Sequence, residues 1–250
     1  MHQQYASSLK EFIRRGARTR LGGRLAAIIV APPVGQPEWP SLRRTIPISR
    51  WFGMDRGLPV DRVYIETFLS ERARAIRGCV LEVAEDTYTR RFGGEHVERC
   101  DILHARPGNP SANIVADLTD ARTIPDSQYD CVLLTQTLQF IFDLRSAVQT
   151  LHRILRPGGS VIATVPGISQ ISRSDMGQWG EFWRFTSASA RRLFAEHFAS
   201  ESVTVSTFGN VLSAIAFLHG LAGSELTDEE LAYHDPDYEV LIGVAATKNL

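Results

Sequence analysis

From Pro59 onward, short apolar runs alternate with longer amphipathic stretches, and this pattern constrains the fold more than any other feature. Residues 79–84, 129–135 and 160–165 are mostly Val, Leu, Ile, Ala and Cys. Runs of that length read as strands buried on both faces, as in a parallel sheet covered by helices. Residues 99–103 and 112–115 predict two more strands between the first two, and residues 202–207 and 240–246 predict another two later. Val60, Val63, Tyr64, Thr67 and Phe68 recur at helical spacing, with Gly78 expected to mark that helix's end. Leu144, Ala147, Val148, Leu151, Ile154 and Leu155 predict a second helix, stopped by Arg156-Pro-Gly-Gly159. Thr186 and Ser187 can cap a third, whose apolar stripe is Ala190, Leu193, Phe194 and Phe198. This alternation predicts an α/β domain with a mostly parallel sheet.

Size and charge narrow the class. The chain has 250 residues, 44% of them hydrophobic, which suits one ordinary domain. A formal net charge of −1 with 22% charged residues excludes a disordered chain and a strongly polyanion-binding one, so nucleic acid is not an expected partner. Residues 1–59 read as an N-terminal arm and irregular segment, and residues 60–250 as the α/β domain. The arm holds a basic stretch at 10–20, a candidate short helix, and a proline-broken loop at 31–40. The apolar run 25–34 contains Pro32 and Pro33 and falls far short of the ~20 residues that span a bilayer. No signal-peptide order is present, so no membrane span and a cytoplasmic location are expected. Cys79, Cys100 and Cys131 lack paired CxxC spacing, which predicts reduced thiols and no metal site.

In sheets of this kind, ligands bind beyond the carboxyl ends of the strands, where the strand order switches. The residues to watch therefore follow each strand: 84–88, 102–104, 116–118, 136–139 and 166–168.

Three features in those regions resemble the class I S-adenosylmethionine-dependent methyltransferases. They are Ile114-Val-Ala-Asp-Leu118, the Tyr129-Asp130 pair opening a strand, and the helix running into Ile154-Leu-Arg-Pro-Gly-Gly159. The resemblance covers about residue 60 to the C-terminus. It implies a Rossmann-like fold with a mostly parallel seven-stranded sheet, residues 240–246 forming an antiparallel strand near one edge. It also implies S-adenosyl-L-methionine as cofactor. By position, Glu82 matches the acid near the cofactor's amino group, Asp101 the acid that accepts from the ribose hydroxyls, and Asp117 the reader of the adenine amine. Leu118 matches the apolar contact to the adenine ring, and Ala84, Glu85 and Thr135 fall on the same rim. Trp183-Arg-Phe-Thr186 and Asp55-Arg-Gly-Leu-Pro-Val-Asp-Arg62 resemble segments of methyltransferases acting on surface sugars.

The chain departs from that family after its first strand. A glycine-rich turn is expected there, but the sequence reads Ala84-Glu-Asp-Thr-Tyr88. Glycine lets backbone approach a ligand and adopt positive φ. Glu85 and Asp86 bring negative charge towards the methionine carboxylate, so they must turn away or be neutralised, with Arg56, Arg62, Arg90 and Arg91 as candidates. Pro107-Gly-Asn-Pro110 stands where the family has a helix. Methyl transfer to a hydroxyl also needs a general base, and Glu181, Asp175 and His104 are the candidates on that face. Two functions stay open. One is O-methylation of a sugar, polysaccharide intermediate or secondary metabolite, a biosynthetic transferase acting on a small molecule or glycan. The other is a catalytically inactive fold that binds a partner, or one that runs different chemistry in the same cleft.

Overall fold

The computed structural model describes residues 43–250. The basic stretch at 10–20, the apolar run at 25–34 and the proline loop at 31–40 lie outside the described residues. Seven strands form one sheet: β1 (Gly78–Val83), β2 (Val97–His104), β3 (Ile114–Val115), β4 (Tyr129–Thr135), β5 (Leu155–Pro166), β6 (Val203–Phe208) and β7 (Leu241–Thr247). Their order is β3-β2-β1-β4-β5-β7-β6. All neighbours are parallel except β7, which runs antiparallel to both β5 and β6. The sheet expected from the sequence is therefore present, and the antiparallel strand is next to the edge. Val80 and Val132 share this sheet on adjacent strands, as the expectation requires.

Helices cover both faces. Helix α1 (Val60–Glu71) and α5 (Val211–His219) pack on one side, while α2 (Leu144–Ile154) and α4 (Ser187–Phe194) pack on the other. Alternate strand residues feed the two layers. Leu81, Val132, Leu134 and Val161 meet Val148, Leu151 and Phe194. Val80, Cys131, Leu133 and Ile162 meet Ile65, Phe68 and Phe217. Fully burying one such side chain contributes roughly 1.5–3 kcal/mol. Short helices α3 (Arg173–Gln178) and α6 (Asp228–Ala232) lie in the connecting loops.

Local chemistry sets the boundaries. Thr186 and Ser189 form a reciprocal capping box that starts α4, as the sequence suggested. Helix α1 stops at Glu71, earlier than the expected end at Gly78. Gly78 instead opens β1 at φ 65°, where an added Cβ would run into the Asp130 carboxylate. Helix α2 ends at Ile154, and Leu155 already pairs with Tyr129. Arg156-Pro-Gly-Gly159 thus belongs to β5, where it fills a register shift between Tyr129 and Cys131. That shift brings the Arg156 guanidinium to within 2.6 Å of Asp130, which also accepts from the Cys79 amide at 2.8 Å. Burial pushes the Asp130 carboxyl up, but the Cys79 amide and Arg156 outweigh it and hold it below the ordinary carboxylate range.

Residues 43–59 pack against the same domain. The Ile48 and Ser49 amides donate to the His219 carbonyl at 2.8 and 3.1 Å. Arg56 donates to Glu225 at 2.8 Å, and Phe52 packs against Phe217. Cys131 is buried and Cys79 and Cys100 are half-buried, all three as free thiols. No metal-holding cluster occurs among the described residues. No described helix is long and apolar enough to cross a membrane.

Candidate active site

The carboxyl ends of β1, β2 and β3 form one rim. Glu82, in β1, is buried and does not reach that rim's surface. Its carboxylate accepts from the Tyr88 amide at 3.3 Å and the Thr89 amide at 2.8 Å, where the chain enters the π-helical turn Thr89–Gly93. Burial pushes its carboxyl up, against the Thr89 and Tyr88 hydrogen bonds. Glu82 therefore shapes the first loop from beneath.

Ala84 stands where the resembled family has its first glycine, and it adopts that glycine's conformation, φ 74°. A Cβ in this left-handed region costs about 1–2 kcal/mol. Two bonds hold it there: its amide donates to the Leu103 carbonyl at 2.9 Å, and its carbonyl accepts from the Asn109 amide at 2.7 Å. Asn109 comes from the Pro107–Pro110 stretch, which has no helix. Asp86 is paired with Arg90 at 2.6 Å and is thereby neutralised. Glu85 is exposed, and its charge acts on Arg62, whose guanidinium donates to the Tyr88 hydroxyl at 3.1 Å.

Further along, Asp101 does not reach the rim. It sits mid-strand, level with Leu81, because β2 runs on to His104. Its oxygens accept from Asn113 at 2.8 Å and the Tyr129 hydroxyl at 2.9 Å, so it ties β2 to the Asn113 turn and to β4. That position leaves no carboxylate for a ribose at the end of β2. His104 occupies that end, with Nδ1 at 2.6 Å from the Arg106 carbonyl. A carbonyl only accepts, so this contact favours the neutral tautomer with its proton on Nδ1, in which Nε2 is an acceptor. The ring meets Trp179 edge-on, and Arg106 stacks over the same indole. Asp117, beyond β3, is exposed; its Oδ1 accepts from the Thr119 amide and hydroxyl, both at 2.8 Å. Leu118 is buried in the core beneath. Thr135 ends β4, its carbonyl accepting from the Thr137 hydroxyl at 3.0 Å.

A cavity of about 840 Å³ opens next to this rim, over the ends of β4 and β5. Gln136, Gln139 and Pro166 line it from the strand ends, residues 44–54 from one side, and residues 169–175 with Glu181 from another. Asp175 and Glu181 are thus brought together, while His104 lies outside. Both carboxylates are engaged. Glu181 pairs with Arg184 at 2.6 Å and accepts from the Ser172 amide at 2.8 Å, and Asp175 accepts from the Ser172 hydroxyl at 2.6 Å. Tyr64 and Trp183, other aromatics that could have lined a pocket, pack against the two core clusters.

Asp61, in the first turn of α1, is a residue the sequence reading missed. It lines this cavity, and its Oδ1 is buried with no hydrogen-bond partner. Burial pushes its carboxyl up to about 6, opposed by Arg62 and by first-turn amides. Gln139 Oε1 and His219 Nδ1 are likewise covered and unpartnered on the same cavity. Buried polar atoms are rarely left unpaired, and three such atoms belong to residues that line this one cavity.

Comparison with known proteins bears on the fold. The family described as "Methyltransferase domain" matches residues 90–163. No curated protein matches. A SAM dependent methyltransferase from Archaeoglobus fulgidus superposes with a TM-score of 0.52 at 9% identity, covering 80% of this chain and 100% of that one. An S-adenosylmethionine dependent methyltransferase from Mesorhizobium loti gives 0.50 at 16% identity, covering 76% and 98%. The chain thus has the fold of these S-adenosylmethionine-dependent methyltransferases, and its residues 90–163 match the methyltransferase domain family.

Proposed function

We propose that the protein transfers a methyl group from S-adenosyl-L-methionine to a hydroxyl of a small-molecule or glycan acceptor held in the 840 Å³ cavity. The observation that carries this reading is the cavity itself, which lies beside the β1–β4 switch in strand order and is lined by Asp61, Gln139 and His219.

The residues on the first rim fit the cofactor. Ala84 keeps the loop open in the left-handed conformation, and Asp86 is neutralised by Arg90. Asp117 has a second oxygen with no protein partner, which suits an adenine amine. His104 Nε2, in place of Asp101, is the ribose acceptor at the end of β2. Glu85 and Arg62 face the amino-acid end as a compensating pair. Glu82 contributes only through the loop it holds.

When bound, S-adenosylmethionine supplies an electrophilic methyl on a sulfonium sulfur. Residues of the neighbouring cavity align the acceptor hydroxyl with it. Asp61 would take the acceptor hydroxyl's proton as the oxygen is methylated. A base with a pKa near 6 is well matched to neutral pH, since most of it is ionised there. Glu181 and Asp175 hold the residues that cover the cavity. A sugar or secondary-metabolite hydroxyl fits the mix of polar atoms with Trp51, Phe52 and Phe140.

The test has two steps. Calorimetry is expected to show saturable S-adenosylmethionine binding. Labelled methyl transfer to a panel of hydroxylated acceptors is then expected from wild type and lost in Asp61→Asn. The inactive-fold reading draws on Ala84 and Glu85 replacing small, neutral residues. It gains if a folded wild-type protein binds no cofactor.

A further inference from the structure

The cavity carries a second message, in its arginines. Elsewhere in the fold, guanidinium groups such as those of Arg91, Arg153 and Arg156 are each held by a carboxylate. Arg50 and Arg173 line the cavity from two different segments, and neither has a carboxylate within ion-pair reach among the described residues. Arg62 lines it too and donates only to the Tyr88 hydroxyl. Asp61 offsets Arg62, but no acid lining the cavity is paired with Arg50 or Arg173. Glu181 is spent on Arg184, and Asp175 is turned to the Ser172 hydroxyl. Ser174, beside Arg173, adds a hydroxyl, while the Ser169 and Ser172 hydroxyls donate to the Gln170 carbonyl and Asp175. Trp51, 68% exposed, offers a flat apolar face next to Arg50.

Guanidinium groups approaching from two segments, with the Ser174 hydroxyl beside one of them, suit a tetrahedral oxyanion with several acceptor oxygens. A planar carboxylate would be satisfied by one bidentate arginine. We infer that the acceptor carries a phosphoryl group in addition to the hydroxyl that is methylated, as in a sugar phosphate or a nucleoside-diphosphate sugar. Arg50 and Arg173 bind that group at the cavity mouth, and Trp51 covers the flat face of the sugar or base. This inference rests on the cavity being the acceptor site.

The experiment titrates full-length protein with glucose, glucuronic acid, glucose 1-phosphate and uridine diphosphate glucose, and separately with S-adenosylmethionine. Either or both phosphorylated probes are expected to bind at least about tenfold more tightly than glucose and glucuronic acid, and more weakly as salt rises. The better of the two identifies the source of the phosphoryl group. Arg50→Gln and Arg173→Gln are each expected to weaken that probe about tenfold while leaving S-adenosylmethionine affinity unchanged. Both positions are exposed, so these variants are expected to fold. Equal binding of glucuronic acid, no binding of either phosphorylated probe at millimolar concentration, or unaltered affinity in both variants overturns the inference. If cofactor binds and the phosphorylated probes do not, only this inference falls. If the probes bind and cofactor does not, the anion site stands and the methyltransferase reading falls.

Discussion

Replacing Asp61 by asparagine is expected to make the protein more stable and less active. The carboxyl is raised from 3.8 to about 6, mainly by burial. At about 1.4 kcal/mol per pH unit, keeping it ionised costs the folded state roughly 3 kcal/mol above that pKa. The sign follows from proton binding. The folded state holds this proton more tightly than the unfolded state, so stability falls as pH rises between about 4 and 6. Below that window the cost is absent, and above it the cost is complete. Asparagine cannot ionise and escapes the cost, but its amide is still a buried polar group, which leaves a net gain of about 1–2 kcal/mol. For a chain of this size, that raises Tm by about 2–8 °C at pH 8. At pH 4 the difference should nearly vanish. Scanning calorimetry at the two pH values measures it, and methyl transfer should meanwhile fall by about 100-fold or more. Arg62 acts on Asp61 directly, and the other charged or titratable residues that line its cavity are Arg44, Arg50, Arg173, His219, Asp175 and Glu181. Equal stability of variant and wild type at pH 8, or an offset that ignores pH, would refute the reasoning.

Other substitutions test the surrounding framework. Glu82→Gln puts an amide where two backbone donors need acceptors, so denaturant unfolding should show a loss of about 1.5–3 kcal/mol. Ala84→Gly relieves the left-handed strain but adds unfolded-state freedom, for a net gain of up to about 1 kcal/mol in the same assay. A loss would mean that the Ala84 methyl group makes packing contacts worth more than the strain. Arg156→Ala leaves Asp130 with only the Cys79 amide, at a cost of about 1 kcal/mol at neutral pH. The carboxyl that Arg156 helps hold low stabilises the fold above its unfolded pKa. The difference between variant and wild type should therefore shrink as pH falls through the folded pKa.

Much of the fold was legible because each central strand carries its burial in its composition. Residues 129–135, expected as a strand, form one with those same bounds. Helix α5 escaped because Val211–His219 is apolar nearly all round, which removes the periodic signal; its local mark was the Asn210–Ser213 capping box. Asp101 was matched to the ribose acid by its spacing from the first strand, which says nothing of its depth in the sheet. Strand β2 runs to His104, and the register fixed by β1 puts Asp101 level with Leu81. In sequence, Asp61 is an ordinary first-turn acid of an amphipathic helix. It becomes a candidate base only when distant segments, residues 44–54 and 169–175, build the same cavity around it. Such long-range burial leaves no local pattern.

Calorimetric titration of S-adenosylmethionine into wild type and Asp117→Ala tests the central claim most directly. The account predicts saturable binding to wild type, weakened by about 1–3 kcal/mol in the variant through loss of an acceptor for the adenine amine. Absence of binding to folded wild type, or unchanged affinity in a correctly folded Asp117→Ala, would contradict it.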